Sequence, residues 1–497
     1  MQFQAPEIVL SGIAPELALG ATALVVLLVD AFVPAARPRW YLAPLATAGL
    51  VAATALALAS WGEPGELQLA QAIARDAFAV FAKVALALFG LLTVWLARDY
   101  LRRDRLEDAE FYALVLFSVA GMMLMAAAAD LTVMFLALET FSLALYVLVG
   151  FRRRSLESQE SAMKYFLLGA FSSAFFLLGI ALVYGAVGST NLYGGTTPAA
   201  EAGIAEFLRT SPASEAGLLV VATGFLIVGL GFKVAAVPFH MWTPDAYQGA
   251  PAPVTGFMAA GSKLAGFAAL LRLLEAVLFP LRWDWRPLVI AIALLTMLAG
   301  SILAVVQEDL KRMLAYSSIA HAGFVFTGLI AGNDRGVAGA LFYLATYGLT
   351  VVGAFAVLSI AGDRDERRRR LTDLRGLFEE RPLLAGALTL FLLSLAGVPL
   401  TSGFVGKLVV FGAAVEAGYT WLVVVGVLAS AIAAFFYLRV LVVMYMQEPA
   451  EGSEPVAVTP LAAGVVALTA AATIILGLYW GPLIEAAEKA TFFVAGS

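Results

Sequence analysis

The chain has no cysteine, only two histidines and few charged side chains. Of its 497 residues, 13% are charged and 62% are hydrophobic, whereas a soluble domain averages about 25% charged and about 45–50% apolar. The composition therefore predicts an integral membrane protein. Without cysteine there are no ligands for an iron–sulfur cluster, no thiol nucleophile and no disulfide. The histidines, His240 and His321, are too few for multi-haem or copper sites, and no metal site is expected.

Lysine is also scarce, and it lies where a cation is costly. An ammonium group at mid-bilayer depth is expensive, so one found there usually faces an internal cavity and has a function. Lysine suits a proton path because burial favours its neutral form, whereas arginine stays charged. With the acid Glu139, such lysines predict a proton or ion path. Five of the seven lysines lie within apolar segments: Lys83, Lys164, Lys233, Lys263 and Lys407.

Three of the basic residues within apolar segments lie near span ends. Arg272 and Arg439 are about two turns from an end, where a long side chain reaches the interface by snorkelling. Arg272 also has Glu275 at i+3 as a possible partner. Lys164 lies near the inner end of its span, so snorkelling and a functional role are both open. Lys83, Lys233, Lys263 and Lys407 are too deep for snorkelling.

Hydropathy predicts fourteen transmembrane helices, since a span needs about 20 mostly apolar residues. The fourth and fifth are separated only by Asp130, which predicts a tight turn. No basic region precedes the first apolar run, so we expect a retained span rather than a cleaved signal. The predicted spans are 13–33, 40–60, 74–97, 109–129, 131–151, 162–187, 216–247, 252–279, 287–306, 312–331, 337–361, 383–415, 420–446 and 457–480.

The loop charges predict the orientation in the membrane. With the N-terminus outside, the inner loops hold 18 basic residues and the outer side holds six. The positive-inside rule then places both termini outside, on the periplasmic side of a bacterial inner membrane. The arginine run at 367–370 falls in an inner loop, where the same rule expects it. We therefore predict no binding of nucleic acid.

Two of the predicted spans contain helix breakers. The seventh contains Pro238 and Pro244, and the twelfth contains Gly397 and Pro399. In lipid, irregular backbone survives only where protein or a wet cavity covers the freed polar groups. Paired discontinuous helices indicate an inverted repeat with a site at the midplane. The alternative is that the prolines only kink two continuous helices.

The spacing of the breaks predicts the domain organisation. Five spans per repeat place a broken helix fourth in each copy, and an odd number of spans inverts the second copy. The expected units are three N-terminal helices (1–104), a first repeat (105–280), a second repeat (281–450) and a C-terminal helix (451–497). The predicted fold class is thus an all-α polytopic membrane protein with two inverted five-helix repeats.

Glu139 and His321 are the titratable candidates besides lysine. Ser142 and Tyr146 share the face of Glu139 at i+3 and i+7. A lone buried carboxylate would be neutral, but opposite a lysine it stays charged and keeps the lysine charged. Pulling that pair apart would favour proton release. His321 is either a hydrogen-bonded core residue or part of a proton relay, and His240 is expected to be structural or interfacial.

Four stretches carry a resemblance to a known family. The chain resembles the antiporter-like subunits of respiratory complex I, most closely the subunit N family of NADH–quinone oxidoreductase. The resemblance covers about residues 75 to 445. The wider family includes Mrp-type cation/proton antiporters. The stretches are GFKVAAVPFHMWTPDAYQGAPAPVTGFMAAGSK, QEDLKRMLAYSSIAHAG, KYFLLGAFSSAFFLLGIALVYGAVGSTNL and GVPLTSGFVGK.

The resemblance implies roles for six residues. Glu139 matches the glutamate of the fifth helix, Lys233 and Lys407 match the lysines of the broken helices, and Lys263 matches the central lysine. Lys164 and His321 match positions in the hydrophilic axis. Lysine rather than glutamate at 407 argues against the M-type subunit, and the short segment after Trp480 argues against the L-type.

The implied function is proton translocation coupled to quinone reduction in other subunits, with no cofactor in this chain. The implied partners are a neighbouring antiporter-like subunit, small membrane subunits, lipids and protons. Two other functions are open. A stand-alone or Mrp-type cation/proton exchanger would move ions without quinone. A structural spacer would carry no proton, but it gains nothing from buried ammonium groups.

Overall fold

The computed structural model describes residues 9–34, 38–194, 203–210, 217–362, 370–449 and 458–493. These ranges are mainly helical. The strands β1 (Glu66–Gln68) and β2 (Ile73–Arg75) form an antiparallel hairpin. The helices are α1 (Ala14–Phe32), α2 (Leu42–Leu58), α3 (Ala77–Asp104), α4 (Ala109–Ala127), α5 (Leu131–Val149), α6 (Leu156–Val187), α7 (Ile204–Thr210), α8 (Gly217–Lys233), α9 (Trp242–Gly249), α10 (Ala252–Phe257), α11 (Lys263–Leu271), α12 (Arg282–Val305), α13 (Leu310–Ala331), α14 (Asp334–Ala361), α15 (Leu377–Glu380), α16 (Pro382–Ala396), α17 (Ser402–Glu416), α18 (Thr420–Met446), α19 (Pro460–Leu478) and α20 (Gly481–Lys489).

The helices agree with the hydropathy of the sequence. Within the described ranges, eleven helical segments are long and apolar enough to cross a membrane, and they fall on eleven of the predicted spans. The second, seventh and twelfth predicted spans coincide with the shorter apolar helices α2, α8 and α16. One long helical segment, Ala252–Val277, contains α10 and α11. The π-helical turn Met258–Ser262 joins the two helices, and a second π-helical turn, Arg272–Val277, follows α11. The prediction of a polytopic helical membrane protein is confirmed.

Polar side chains end the helices at short connections. Asp130 separates α4 from α5, as predicted, and its carboxylate accepts a hydrogen bond from the Thr132 amide at 2.7 Å. Asp309 caps α13 in the same way, accepting from the Arg312 amide at 3.0 Å. Such caps satisfy amides at the first turn, which have no partner within the helix. They allow tight turns between spans.

Three segments form the centre of the helix bundle. In each helix we compare the most apolar stretch of eighteen residues. In Ala252–Val277 all residues of this stretch are buried, and in α13 and α14 the buried fractions are 94% and 89%. In the peripheral helices α18 and α19 only 33% is buried. The central segments pack on one another, since α14 contacts both α10 and α13. They carry Lys263, His321 and the buried tyrosines Tyr343 and Tyr347. These polar residues therefore lie in the middle of the helix bundle rather than on its outer surface.

Both predicted breaks are present. The seventh span stops at Lys233, the end of α8, and resumes at Trp242, the start of α9. The twelfth stops at Ala396 and resumes at Ser402. These spans are therefore interrupted rather than only kinked, and each interruption leaves backbone carbonyls that need a partner from outside their own helix.

The interpretation of Arg272 as a snorkelling residue is wrong. Its side chain is fully buried, and its two terminal nitrogens bind the Asp76 carboxylate at 2.7 and 2.9 Å. Asp76 caps the start of α3, far away in sequence, so spacing along the helix did not reveal this partner. Arg439 is half-buried and donates to the Val305 carbonyl at the end of α12, at 2.9 Å. Most of the arginine run at 367–370 lies outside the described residues.

Candidate functional site

Lys233 lies in a chamber of aromatic rings. Only 1% of its surface is exposed, and its ammonium group lies 5.2–5.6 Å from the centres of four rings. Its Nζ donates a hydrogen bond to the Tyr146 hydroxyl at 3.2 Å. Ring faces attract a cation, and more strongly where water is absent. The chamber therefore accommodates the ammonium group without a carboxylate in contact. The rings belong to Phe141, Tyr146, Tyr165 and Phe232.

A glycine on the neighbouring helix makes room for the hydroxyl partner of Lys233. Tyr146 is on α5, and its hydroxyl rests against Gly169 of α6. A Cβ at Gly169 would overlap that oxygen. Residue 169 thus positions the tyrosine whose hydroxyl meets the ammonium group. The sequence showed Tyr146 on the face of Glu139 but gave no sign of this contact.

Glu139 lies at the edge of the chamber and not inside it. It is half-buried, and its carboxylate accepts a hydrogen bond from Ser173 of α6. Among the described residues, no ion pair within 4 Å joins it to Lys233. It is on α5, the same helix as Phe141 and Tyr146, which are two of the rings around Lys233. The arrangement places a half-buried acid near the chamber of a buried amine.

Lys263 binds the backbone that the first break frees. Its Nζ donates to the Val234 carbonyl at 2.9 Å, directly after the last residue of α8. The next freed groups also find side-chain partners. Trp242 donates to the Phe232 carbonyl at 2.9 Å, and Thr296 accepts from the Val237 amide at 2.9 Å. A cation at the carbonyl end of a helix is favourable because the helix dipole is negative there. Lys263 therefore contacts the backbone of the residue that directly follows Lys233.

Lys407 has a similar position at the second break. It is 6% exposed, and its Nζ donates to the carbonyls of Leu395 and Ala396, at 3.1 and 2.9 Å. These carbonyls end α16, while Lys407 itself is on α17. Gly397, between the two helices, has a φ of +90°, and a Cβ there would lie 3.2 Å from the ammonium nitrogen. Glycine is thus required both by the left-handed backbone and by the lysine.

His321 lies beside the second break, where it lines a small cavity together with Leu395 and Gly403. Its side chain is buried, with Nδ1 2.6 Å from the Tyr343 hydroxyl and Nε2 3.3 Å from the Tyr437 hydroxyl. Phe324, one turn further along α13, lies 4.9 Å below the Lys407 ammonium group. Both ring nitrogens therefore have hydroxyl partners. Such an arrangement fits a proton relay and a hydrogen-bonded core histidine equally well.

Lys164 and His240 are not in this buried set. The Lys164 side chain is 46% exposed and forms ion pairs with Glu160 at 2.7 Å and Asp245 at 2.9 Å. Arg312 binds the other Asp245 oxygen at 2.5 Å. The structure thus places Lys164 in a polar cluster near one end of α6. His240 is half-buried in the first break.

Lys83 has a partner that the sequence analysis missed. It forms an ion pair with Glu16 of α1 at 2.8 Å and donates to the Gly12 carbonyl at 2.7 Å. Both side chains are buried, at 5% and 8% exposure. A glutamate within the first apolar run is a signal that could have been used. The pair joins α1 to α3 and lies apart from the other lysines.

Comparisons with known proteins show which family the chain is similar to. A sequence profile of the family described as NADH:quinone oxidoreductase/Mrp antiporter, TM, matches residues 128–433. NADH-quinone oxidoreductase subunit N from Trichlorobacter lovleyi is 43% identical over 481 residues, which cover 97% of this chain and 96% of the relative. A chain of respiratory complex I from Thermus thermophilus is 36% identical with a TM-score of 0.80, over 96% of this chain and 100% of that one.

A solved Mrp complex shares the fold at lower identity. One of its chains, from Dietzia sp., has a TM-score of 0.82 at 23% identity, over 96% of both chains. That likeness concerns the fold alone.

The fold and the family match define a polytopic membrane protein of the antiporter-like class. The chain belongs to the NADH:quinone oxidoreductase/Mrp antiporter transmembrane family, and its full-length relatives include subunits N of NADH-quinone oxidoreductase. The resemblance stated from the sequence is thereby confirmed.

Proposed function

We propose that the chain is a proton-translocating membrane subunit of a complex I-type NADH–quinone oxidoreductase. Full-length identity of 43% to subunit N supports this assignment. Quinone reduction takes place in other subunits, and this chain contributes no redox group. Its location is a bacterial inner membrane, within an assembly that includes a neighbouring antiporter-like subunit and small membrane subunits.

The observation that carries the proposal is how three buried ammonium groups are held. Lys233 meets rings and a hydroxyl, while Lys263 and Lys407 meet helix-end carbonyls. None of the three has a carboxylate within 4 Å in the part of the chain that the structure describes. A buried ammonium without a counter-ion is costly, so its proton is easily given up. Such amines are therefore better suited to transferring protons than to stabilising the fold.

The proposed path takes the buried residues in order from the first break to the second. A proton from the inner side reaches Lys233, passes to Lys263 across the first break, moves through the His321 region and leaves from Lys407. Glu139 sets the charge of Lys233, because a nearby carboxylate favours the protonated amine. Glu139 is half-buried, so a neighbouring subunit is able to change its surroundings.

The proposed architecture places this path at the midplane of two inverted five-helix repeats, 105–280 and 281–450. They are flanked by three N-terminal helices and one C-terminal helix. With fourteen spans, both termini lie on the same side of the membrane. Because arginine is more frequent in the loops of the inner side, this is the periplasmic side. The two interrupted spans support the repeat, because each is the fourth helix of its unit.

The exchanger hypothesis has less support. Identity to the Mrp chain is 23%, against 43% to subunit N. A structural spacer is also disfavoured, since buried amines without counter-ions would destabilise it.

The test is the Lys233→Ala variant in the assembled complex, with the exposed Lys489→Ala as control. NADH-driven proton uptake into inverted vesicles and quinone reduction are measured together. We expect uptake to fall for Lys233→Ala and not for the control, with assembly intact in both. Unchanged uptake in an assembled Lys233→Ala complex would remove Lys233 from the mechanism.

A further inference from the structure

Three buried hydroxyl groups from three helices are joined by hydrogen bonds. Ser318 of α13 is bound by Tyr347 of α14, whose hydroxyl donates to it at 2.8 Å. On its other side Ser318 meets the hydroxyl of Tyr247, from α9, at 3.3 Å. Exposure of the three residues is between 0% and 4%. None of them is among the six residues to which the resemblance gives a role, and none belongs to the proposed path.

The hydroxyl chain leads towards His321. Ser318 lies one turn before His321 on α13, and residues three apart share a helix face. Opposite them, Tyr347 lies one turn after Tyr343 on α14, and Tyr343 binds the histidine at 2.6 Å. Two hydroxyl contacts, Ser318 with Tyr347 and His321 with Tyr343, are therefore stacked one turn apart between the same two helices.

A small cavity closes the gap between the two contacts. Tyr347 and His321 both line it, together with Thr346, Ser394 and Leu395. Its volume of about 10 Å³ is close to the minimum that holds one water molecule, and the hydroxyl-bearing residues Tyr343, Thr346 and Tyr347 are among those that line it. Leu395 lines it too, and the carbonyl of Leu395 accepts a hydrogen bond from the Lys407 ammonium group. The cavity thus connects the hydroxyl chain to both His321 and the second break.

The other end of the hydroxyl chain lies on the side with the ion-pair cluster. Tyr247 is on the two-turn helix that carries Asp245, and Asp245 is bound by Arg312 and Lys164. Arg312 is six residues before Ser318 on α13, which is about 9 Å along a helix. The cluster is partly exposed, and loop charge predicts that this end of α13 is the inner one. The partly exposed cluster and the hydroxyl chain are therefore joined by α9, which carries both Asp245 and Tyr247.

We infer that Tyr247, Ser318 and Tyr347 form a proton path from the inner side to His321, separate from the route through Lys233. This inference depends on the proposed function and adds a second inner uptake route. A proton arriving at the Tyr247 oxygen releases that hydroxyl's own proton to Ser318. For the next step the Tyr347 hydroxyl, which donates to Ser318 in the structure, first turns towards the cavity, so that Ser318 donates to it. Ser318 then passes one proton to Tyr347, and Tyr347 passes one through a water molecule in the cavity to a ring nitrogen of His321. The hydroxyls then rotate back, so each oxygen keeps one proton and one proton has moved.

The test removes the hydroxyls singly in the assembled complex. The variants are Ser318→Ala, Tyr247→Phe and Tyr347→Phe, and Ser318→Thr restores a hydroxyl at the same place. Two controls remove buried hydroxyls outside the chain. Thr327→Val changes a residue of α13 that bonds only to its own helix, and Tyr112→Phe changes a phenol with no hydrogen-bond partner among the described residues.

We expect each of the three variants to show less NADH-driven proton uptake than the controls, because one of two inner uptake routes is blocked. Ser318→Thr should recover the lost uptake, which a merely structural role of Ser318 in packing would not predict, because threonine adds a methyl group. The double variant Tyr247→Phe/Ser318→Ala should be no worse than Ser318→Ala, since both interrupt one chain. Uptake equal to the controls in any assembled variant would overturn the inference. If Lys233→Ala loses uptake at the same time, the proposed function stands and only the second route is wrong.

Discussion

The buried ion pair of Arg272 with Asp76 allows a quantitative prediction of stability. Arg272 is 0% exposed and Asp76 is 4% exposed. The guanidinium group also donates to the Ala126 carbonyl, at 3.0 and 3.1 Å, and to Tyr193 at 3.1 Å. Asp76 in turn accepts from the Ala79 amide at 2.8 Å and so caps α3. The substitution Asp76→Ala removes the counter-ion and the cap together, while the arginine remains buried.

The expected cost follows from what remains around the guanidinium group. Removing one partner of a buried ion pair costs about 3–5 kcal/mol, because the other charge is left uncompensated. The lost cap adds about 1 kcal/mol. The bonds to Ala126 and Tyr193 persist and limit the loss, so we expect about 3–5 kcal/mol in total. The exposed pair of Arg335 with Glu416, each about half exposed, should contribute only about 0–1 kcal/mol.

The assay is equilibrium unfolding of the chain, purified in a mild detergent and titrated with a denaturing detergent. Tryptophan fluorescence follows the transition, since the chain has eight tryptophans. Asp76→Asn keeps an acceptor for the cap and removes only the charge, so its stability should lie between wild type and Asp76→Ala. Arg335→Ala is the control. If Asp76→Ala lost no more free energy of unfolding than this control, the argument from burial would be refuted.

Two further predictions concern the site. Gly397→Ala should destabilise by about 1–2 kcal/mol, because alanine is strained at a left-handed backbone position, and it should also slow proton uptake by displacing Lys407. Uptake unchanged at full assembly would show that Lys407 does not need its present place. Tyr146→Phe keeps the ring beside Lys233 and removes its hydroxyl partner, so we expect slower uptake with normal assembly. Tyr112→Phe is the matched control, and equal uptake by both variants would contradict the role of the Tyr146 hydroxyl.

Much of the fold was predictable because the bilayer imposes a local rule. A span must be apolar over its own length, so spans and their approximate ends follow from short windows of sequence. The two breaks were predictable for the same reason, since Pro238 and Gly397 act on the backbone where they stand. Asp130 likewise predicted its own tight turn and then capped the helix that follows.

The partners of the buried charges were not predictable from one sequence. Asp76 meets Arg272 across 196 positions, and Glu16 meets Lys83 from a different helix. Only the tertiary packing decides such contacts, so distance from a span end is a poor guide to how a charge is satisfied. Lys164 is the opposite case. It lies within an apolar segment of the sequence, but its side chain is 46% exposed in the folded chain.

The two breaks share a chemical feature that links protonation to helix geometry. At each of them a lysine from another helical segment donates to carbonyls that end a half-helix, Lys263 at Val234 and Lys407 at Leu395 and Ala396. A charged donor forms a bond roughly twice as strong as a neutral one, and it also interacts favourably with the negative end of the helix dipole. A neutral amine keeps the hydrogen bond but loses the interaction of its charge with the dipole. Because α8 and α16 end at these bonds, a proton leaving either lysine weakens the attachment of a half-helix, and a shift of that half-helix in turn changes how readily the lysine binds a proton.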